Sequence, residues 1–282
     1  LALCLLLERD EAECGLIAAW GAVGVGFGGQ ETYGQTVGFI LRPETFWWGF
    51  AGLSLKGIVW GLLGGAILGA ALAKERPSLR DAAIGLALIP LGTWAGWKLV
   101  NVPKLIYFSD PINKPREEVW AGLLLGSLVW LGWLTLRGLG RIPWRFALWG
   151  AVGGLGFGVG GVVMSLGHNV PIGPRWYDWW KVMELVFGFC FGAALGLCAW
   201  VYRDQLGGGG RKEPERVAPA NPWLQFILVV ALVFCVFGLG YLLHLRIIYA
   251  LLGPVLLWIA LRWPGFAWHI AITLTFFAFA RD

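Results

Sequence analysis

"WLQFILVVALVFCVFGLGYLL", Trp223 to Leu243, is an almost unbroken apolar run. A helix rises about 1.5 Å per residue and the hydrocarbon core is about 30 Å thick, so roughly 20 such residues span it. Similar runs fill the rest of the chain. Of its 282 residues 58% are hydrophobic and 14% are charged, against roughly 25% charged in an average globular domain. The charges cluster between the runs. The fold expected is an all-α, polytopic integral membrane bundle.

Eight apolar segments follow a short opening one: about 15–29, 46–73, 82–101, 119–136, 146–167, 179–202, 222–243 and 247–262, with a less regular ninth at 264–280. The opening "LALCLLL" is too short to span. It reads as the tail of a truncated helix, residues 1–14 comprising that tail and the acidic connection "ERDEAE". Residues 204–222 carry four glycines followed by charges and prolines and read as a flexible loop. A phosphate-binding P-loop needs Gly-Lys-Ser/Thr after its glycines, whereas Arg211 and Lys212 lead here to Glu213.

Lys and Arg divide between two sides. Arg9, Lys74, Arg76, Arg80, Arg137, Arg141, Arg145, Arg203, Arg211, Lys212, Arg216 and Arg262 fall on one. Arg42, Lys98, Lys104, Lys114, Arg116, Arg175, Arg246 and Arg281 fall on the other. The positive-inside rule makes the richer side cytoplasmic, including loop 204–222, in a plasma or bacterial inner membrane. The net charge of +5 fits basic cytoplasmic loops. No soluble basic stripe interleaved with aromatics points to nucleic acid. The five cysteines form no CxxC pair and the three histidines are scattered, so neither a metal nor another cofactor is expected. The nineteen tryptophans suit the headgroup level.

The chain also repeats itself. "WGAVG" at Trp20 recurs at Trp149, "GFG" follows each, then a tryptophan pair (Trp47-Trp48, Trp179-Trp180), then "GLLGGAILG" against "GFCFGAALG". Four matches in one order, each about 130 residues on, indicate duplication. Two parallel four-span repeats are expected, 15–145 and 146–262, with 263–282 as an additional terminal helix. Gly57, Gly61, Gly65 and Gly69, and likewise Gly188, Gly192 and Gly196, recur every four residues. That spacing puts them on one helix face, where small residues let backbones approach in lipid.

Two charges interrupt these helices. Lys56 lies roughly 13 Å into its segment and Glu184 roughly 7 Å into its own. An intramembrane ionisable group is by default a functional hypothesis, and a Lys56–Glu184 pair across the pseudo-symmetric centre is one reading. A local chain of Asp178, Lys181 and Glu184 near the headgroups is the other. Polar residues also follow each glycine-rich helix, "GGQETYGQT" in the first copy and "SLGHNVPIGPRWYD" in the second. The candidate solute-binding residues are therefore Gln30, Glu31, Tyr33, Gln35, Lys56, His168, Asn169 and Glu184.

The function expected is a transporter or channel for a small polar solute, sited between the repeats and surrounded by membrane lipid. A membrane-embedded transferase acting on a lipid-linked substrate is the alternative, with Glu31 or Asp178 as acid/base, though no metal-ligand spacing or nucleophile motif supports it. A structural or assembly subunit is the third reading.

Overall fold

A computed structural model describes residues 3, 4, 7, 9–110, 112, 113, 115–170, 178–207, 221–242 and 248–281. Residues 171–177, including Arg175, most of loop 204–222, and Ile247 lie outside them.

The described chain is all-helical, with no strand. The helices are α1 (Glu11–Gly28), α2 (Gly34–Ile40), α3 (Phe46–Leu72), α4 (Leu79–Gly96), α5 (Trp120–Leu136), α6 (Arg141–Gly154), α7 (Gly156–Asn169), α8 (Trp179–Val201), α9 (Pro222–Leu242), α10 (Ile248–Arg262) and α11 (Ala267–Arg281). Among the described residues five stretches are long and apolar enough to cross a membrane: Pro43–Leu72, Leu79–Asn101, Arg141–Asn169, Trp179–Val201 and Pro222–Leu239. Glu13–Gly28, Trp120–Leu136 and Ile248–Arg262 are shorter apolar helices. Helices of this kind are what an apolar solvent demands, because each backbone N–H and C=O must find its partner within the segment.

Helix α3 is the centre of the bundle. Of its most apolar window 83% is buried, against 17% in α9. It packs against α1, α2, α5, α6 and α7. Its glycines explain the closeness of α6. A Cβ on Gly57 would fall 2.1 Å from the Gly154 carbonyl oxygen, one on Gly61 1.9 Å from that of Gly150, and one on Gly65 2.1 Å from that of Phe146. Without side chains in the way, the two backbones touch and gain dispersion contacts that lipid cannot supply. The stripe in the second half behaves differently. A Cβ on Gly188, Gly192 or Gly196 would meet nothing within 4 Å. That face of α8 is open, which corrects the expectation that both stripes are packing faces.

The helix ends are capped by their own sequence. Asp10 Oδ1 accepts from Glu13 N at α1, Ser78 Oγ from Asp81 N at α4, and Asp178 Oδ1 from Trp180 N and Lys181 N at α8. The acidic stretch before α1 has a partner: Glu13 meets Arg76 at 3.0 Å and Arg9 at 3.6 Å. The connection after α3 is tied to the one after α8. Gly207 N donates to Leu72 O at 2.8 Å and Lys74 Nζ to Asp204 O at 2.8 Å. Arg145 bonds Gln205 and Arg137 pairs with Asp81. These basic connections therefore gather at one end of the bundle.

The tryptophans divide, and the headgroup reading needs correcting for two. Trp20 and Trp130 are in the core, 1% and 0% exposed, whereas Trp47, Trp94, Trp200 and Trp223 are exposed on the outside.

Candidate functional site

The apolar helix α1 stops at Gly28, and the chain resumes as α2 at Gly34. Gly28 lies against Trp60, whose Nε1 donates to Val25 O at 2.8 Å. The break between α1 and α2 carries Gln30, Glu31, Thr32 and Tyr33. Irregular backbone at such a place leaves groups to be satisfied from elsewhere in the bundle. Lys56, from the middle of α3, does this. Its Nζ donates to Thr32 O at 2.6 Å, to Thr36 Oγ1 at 2.9 Å and to Glu118 Oε1 at 2.9 Å. Glu31 Oε1 lies 3.2 Å from the same nitrogen.

Glu118 arrives on the strap of chain that joins α4 to α5. The strap is stitched to the α1–α2 break: Thr32 Oγ1 donates to Glu117 O, Thr36 Oγ1 to Phe108 O, and Asp110 N to Gln35 Oε1. Within it Phe108 N and Ser109 Oγ donate to the Glu118 carboxylate. The Phe108 ring roofs the ammonium at 5.9 Å and is itself covered by Trp48. Glu31 Oε2 accepts from Val119 N at 2.8 Å. Lys56 and Glu118 are each 2% exposed and Glu31 6%, so the three charges are removed from solvent together.

The chemistry of this cluster follows from counting. An ammonium has three hydrogens, and Thr32, Thr36 and Glu118 take all three. Glu31 Oε1 is left buried without a hydrogen bond. One ammonium against two carboxylates also leaves one uncompensated negative charge when both are ionised. Both facts favour a proton on Glu31. Removal from water also disfavours the charged form of Glu31, against the pull of Lys56 and the Val119 N–H.

The other expected residues are distributed around this centre. Of the two readings of Glu184, the pair with Lys56 is not formed and the local contact with Lys181 is. Glu184 Oε1 accepts from Trp180 Nε1 at 2.8 Å and Tyr33 Oη at 3.2 Å, and its Oε2 meets Lys181 at 3.5 Å. Half-buried Glu184 thus belongs to a second polar group reached through Tyr33, whose ring packs on Phe157 and Trp180. Gln30 spans from Phe27 O to Ala250 N. His168 and Asn169 are exposed at the end of α7, where Asn169 Nδ2 turns back to Ser165 O. Neither is among the partners of Lys56, whose ammonium meets Thr32, Thr36, Glu118 and Glu31. Glu118 is the residue that sequence reasoning missed. Its signal was an acidic pair, Glu117-Glu118, directly ahead of an apolar helix.

Asp110 holds the tip of the strap. The Asn113 side-chain amide, then the Asn113 and Ile112 N–H groups, hold its carboxyl below the usual carboxylate range. A depressed folded value stabilises the turn above the ordinary carboxylate range and is lost as pH falls through the folded value. The protection factors of the Ile112 and Asn113 amides, which refer exchange to the unfolded chain at the same pH, should therefore fall on acidification, and Asp110→Ala should give the low protection at all pH values.

Among the described residues no group of His, Cys, Asp and Glu side chains is placed to hold a metal ion. Comparison with known protein families, curated proteins and solved structures found no match. The geometry of the site carries the functional argument by itself.

Proposed function

We propose that this protein is a membrane transporter for a small polar solute, and that the Lys56–Glu31–Glu118 cluster takes up and releases a proton in its cycle. The observation that carries this is Glu31 itself. It lies in a break between two helix pieces, almost wholly buried, with Oε1 beside an ammonium whose hydrogens are spent elsewhere. Broken helices with unwound carbonyls near the bundle centre are where transporters place substrate and coupling ions. Here Thr32 O already serves a cation, that of Lys56. A proton arriving on Glu31 neutralises the cluster and weakens its hold on Lys56. The strap that delivers Glu118 is then freer to part from the α1–α2 break.

In the same reading residues 15–145 and 146–262 descend from one duplicated four-span unit, of which the first copy keeps its glycine stripe as a packing face. The end carrying Lys74, Arg76, Arg137 and Arg203 faces the cytoplasm, and with it loop 204–222. Gln30, Tyr33, Gln35 and Glu184 line the solute's path. His168 and Asn169, exposed at the end of α7, mark its mouth.

The test uses purified protein in proteoliposomes under an imposed pH gradient, with a panel of labelled amino acids, sugars and nucleosides. At least one is expected to accumulate, and a proton ionophore should collapse the accumulation. Glu31→Gln, which holds the site in a neutral state, should lower that uptake at least tenfold while keeping the wild-type thermal midpoint. Uptake of none of the panel, or equal uptake by Glu31→Gln, overturns the reading.

A further inference from the structure

The oxygens around the Lys56 ammonium are aimed by bonds other than those to Lys56. Four of them face it: Thr32 O at 2.6 Å, Thr36 Oγ1 and Glu118 Oε1 at 2.9 Å each, and Glu31 Oε1 at 3.2 Å. The Thr36 hydroxyl spends its hydrogen on Phe108 O, which leaves its lone pairs for the cation. Phe108 N and Ser109 Oγ hold the Glu118 carboxylate. Val119 N holds Glu31 by its other oxygen, and the Thr32 hydroxyl ties its own residue to Glu117 O. Outer bonds of this kind orient the ligands of a metal ion. An ammonium points only three hydrogens, so the shell has one oxygen more than Lys56 can serve. That oxygen, Glu31 Oε1, is buried with no hydrogen bond. A spherical cation has no such limit and faces all four.

Charge, number and distance then state which cation. Two of the four oxygens are neutral, a carbonyl and a hydroxyl. The carbonyl belongs to a break between helices, and unwound carbonyls at such breaks coordinate Na⁺ in transporters. Calcium takes about 6–8 oxygens at about 2.3–2.6 Å, with carboxylates often bidentate. Neither carboxylate can turn bidentate here, because backbone N–H groups hold both second oxygens. Four oxygens at 2.6–3.2 Å, shut away from water, suit a monovalent ion whose hydration shell protein oxygens can replace. The Phe108 ring, 5.9 Å from the nitrogen, adds a π face that attracts such an ion. We infer that these four oxygens form an alkali-cation site, for Na⁺ or K⁺, which the protein fills with its own Lys56 ammonium and which takes the free ion once that ammonium is removed. This deepens the transport reading, since a cation site closed by a tethered charge leaves the proton as the coupling ion. The test measures no uptake, so the two can fail separately.

It is the thermal midpoint of Lys56→Ala, purified and melted in KCl, NaCl, ammonium chloride, calcium chloride or choline chloride at one ionic strength. Alanine removes the ammonium and most of the stem but leaves the oxygens. In choline the variant should melt well below the wild type. KCl or NaCl should raise its midpoint saturably, by at least about 5 °C, as an ion binding only the folded state does. The wild type, and Lys56→Met with a thioether filling the space, should not respond. Lys56→Ala/Glu118→Gln, which removes a charged ligand, should lose the response. Lys56→Ala/Glu31→Gln serves if the single variant does not fold, because it keeps one carboxylate for one monovalent ion and buries no second charge. Equal midpoints in choline and both alkali salts overturn the site, as does an equal rise in the wild type or failure of both variants to fold in every salt. Rescue by ammonium or calcium alone also overturns it, since the shell would then serve N–H donors or a divalent ion.

Discussion

Lys56→Met should lower the unfolding free energy in detergent by about 3–5 kcal/mol, the usual range for breaking a buried ion pair from one side. Methionine fills nearly the same volume, so little of this is packing. What is lost is the one cation facing Glu31 and Glu118, together with the donors to Thr32 O and Thr36 Oγ1. Two carboxylates then share a dry site, and at least one must take a proton to remain folded. Replacing the whole cluster, Lys56→Met with Glu31→Gln and Glu118→Gln, should recover most of the loss, since a buried ionic group exchanged for a neutral one of similar shape is often close to neutral. Glu184→Gln is the contrast. Its partner Lys181 is mostly exposed, as a surface pair three residues apart, and such pairs contribute about 0–1 kcal/mol. Were Lys56 paired with Glu184 instead, the two single variants would lose the same amount in chemical or thermal unfolding.

That contrast also shows which parts of the site could be read from the residues. Lys56 and Glu31 stand out because an ionisable side chain in an apolar run has no cheap place to go. Their partner does not stand out. Glu118 is 62 residues from Lys56 and reaches it on an irregular strap, where no periodicity marks which side chains turn inward. The two readings of Glu184, paired with Lys56 or with Lys181, could not be separated for a related reason. In water the buried face of a helix is apolar and the exposed face polar, so spacing reveals direction. In lipid both faces are apolar, and the glycine stripe of α8 looks the same whether a helix or an acyl chain lies against it. Run length marked the apolar helices, but not the interruption at Leu155 that divides the expected segment 146–167 between α6 and α7. The break after Gly28 was legible from its polar residues, whereas α2 and the π turn at Trp97–Asn101 were set by tertiary bonds from Asp110, Phe108 and Ala121.

Gly61→Leu should abolish the folded protein, and Gly188→Leu should not. Both glycines sit in four-residue stripes, and both would gain the same side chain. At Gly61 even a Cβ falls 1.9 Å from the Gly150 carbonyl oxygen and 2.4 Å from its carbon. Those are backbone atoms of α6, which cannot swing aside as a rotamer does. The helices must separate, and with them goes the contact at Gly57 and Gly65 along the same face. Overpacking typically costs about 1–3 kcal/mol where side chains can yield; between two backbones in contact the loss is larger. Gly61→Ala should already lower the thermal midpoint. Gly188 faces outward, with nothing within 4 Å of its Cβ position, and Ala there gains about 1 kcal/mol of helix propensity over Gly. Gly188→Ala should therefore be neutral or stabilising, and Gly188→Leu should add one more apolar group to a lipid-facing surface. The yield of monodisperse protein in detergent and its thermal midpoint read both arms. Equal tolerance at the two positions would mean that α3 and α6 do not touch, and the depth of Lys56 beneath them would have to be explained some other way.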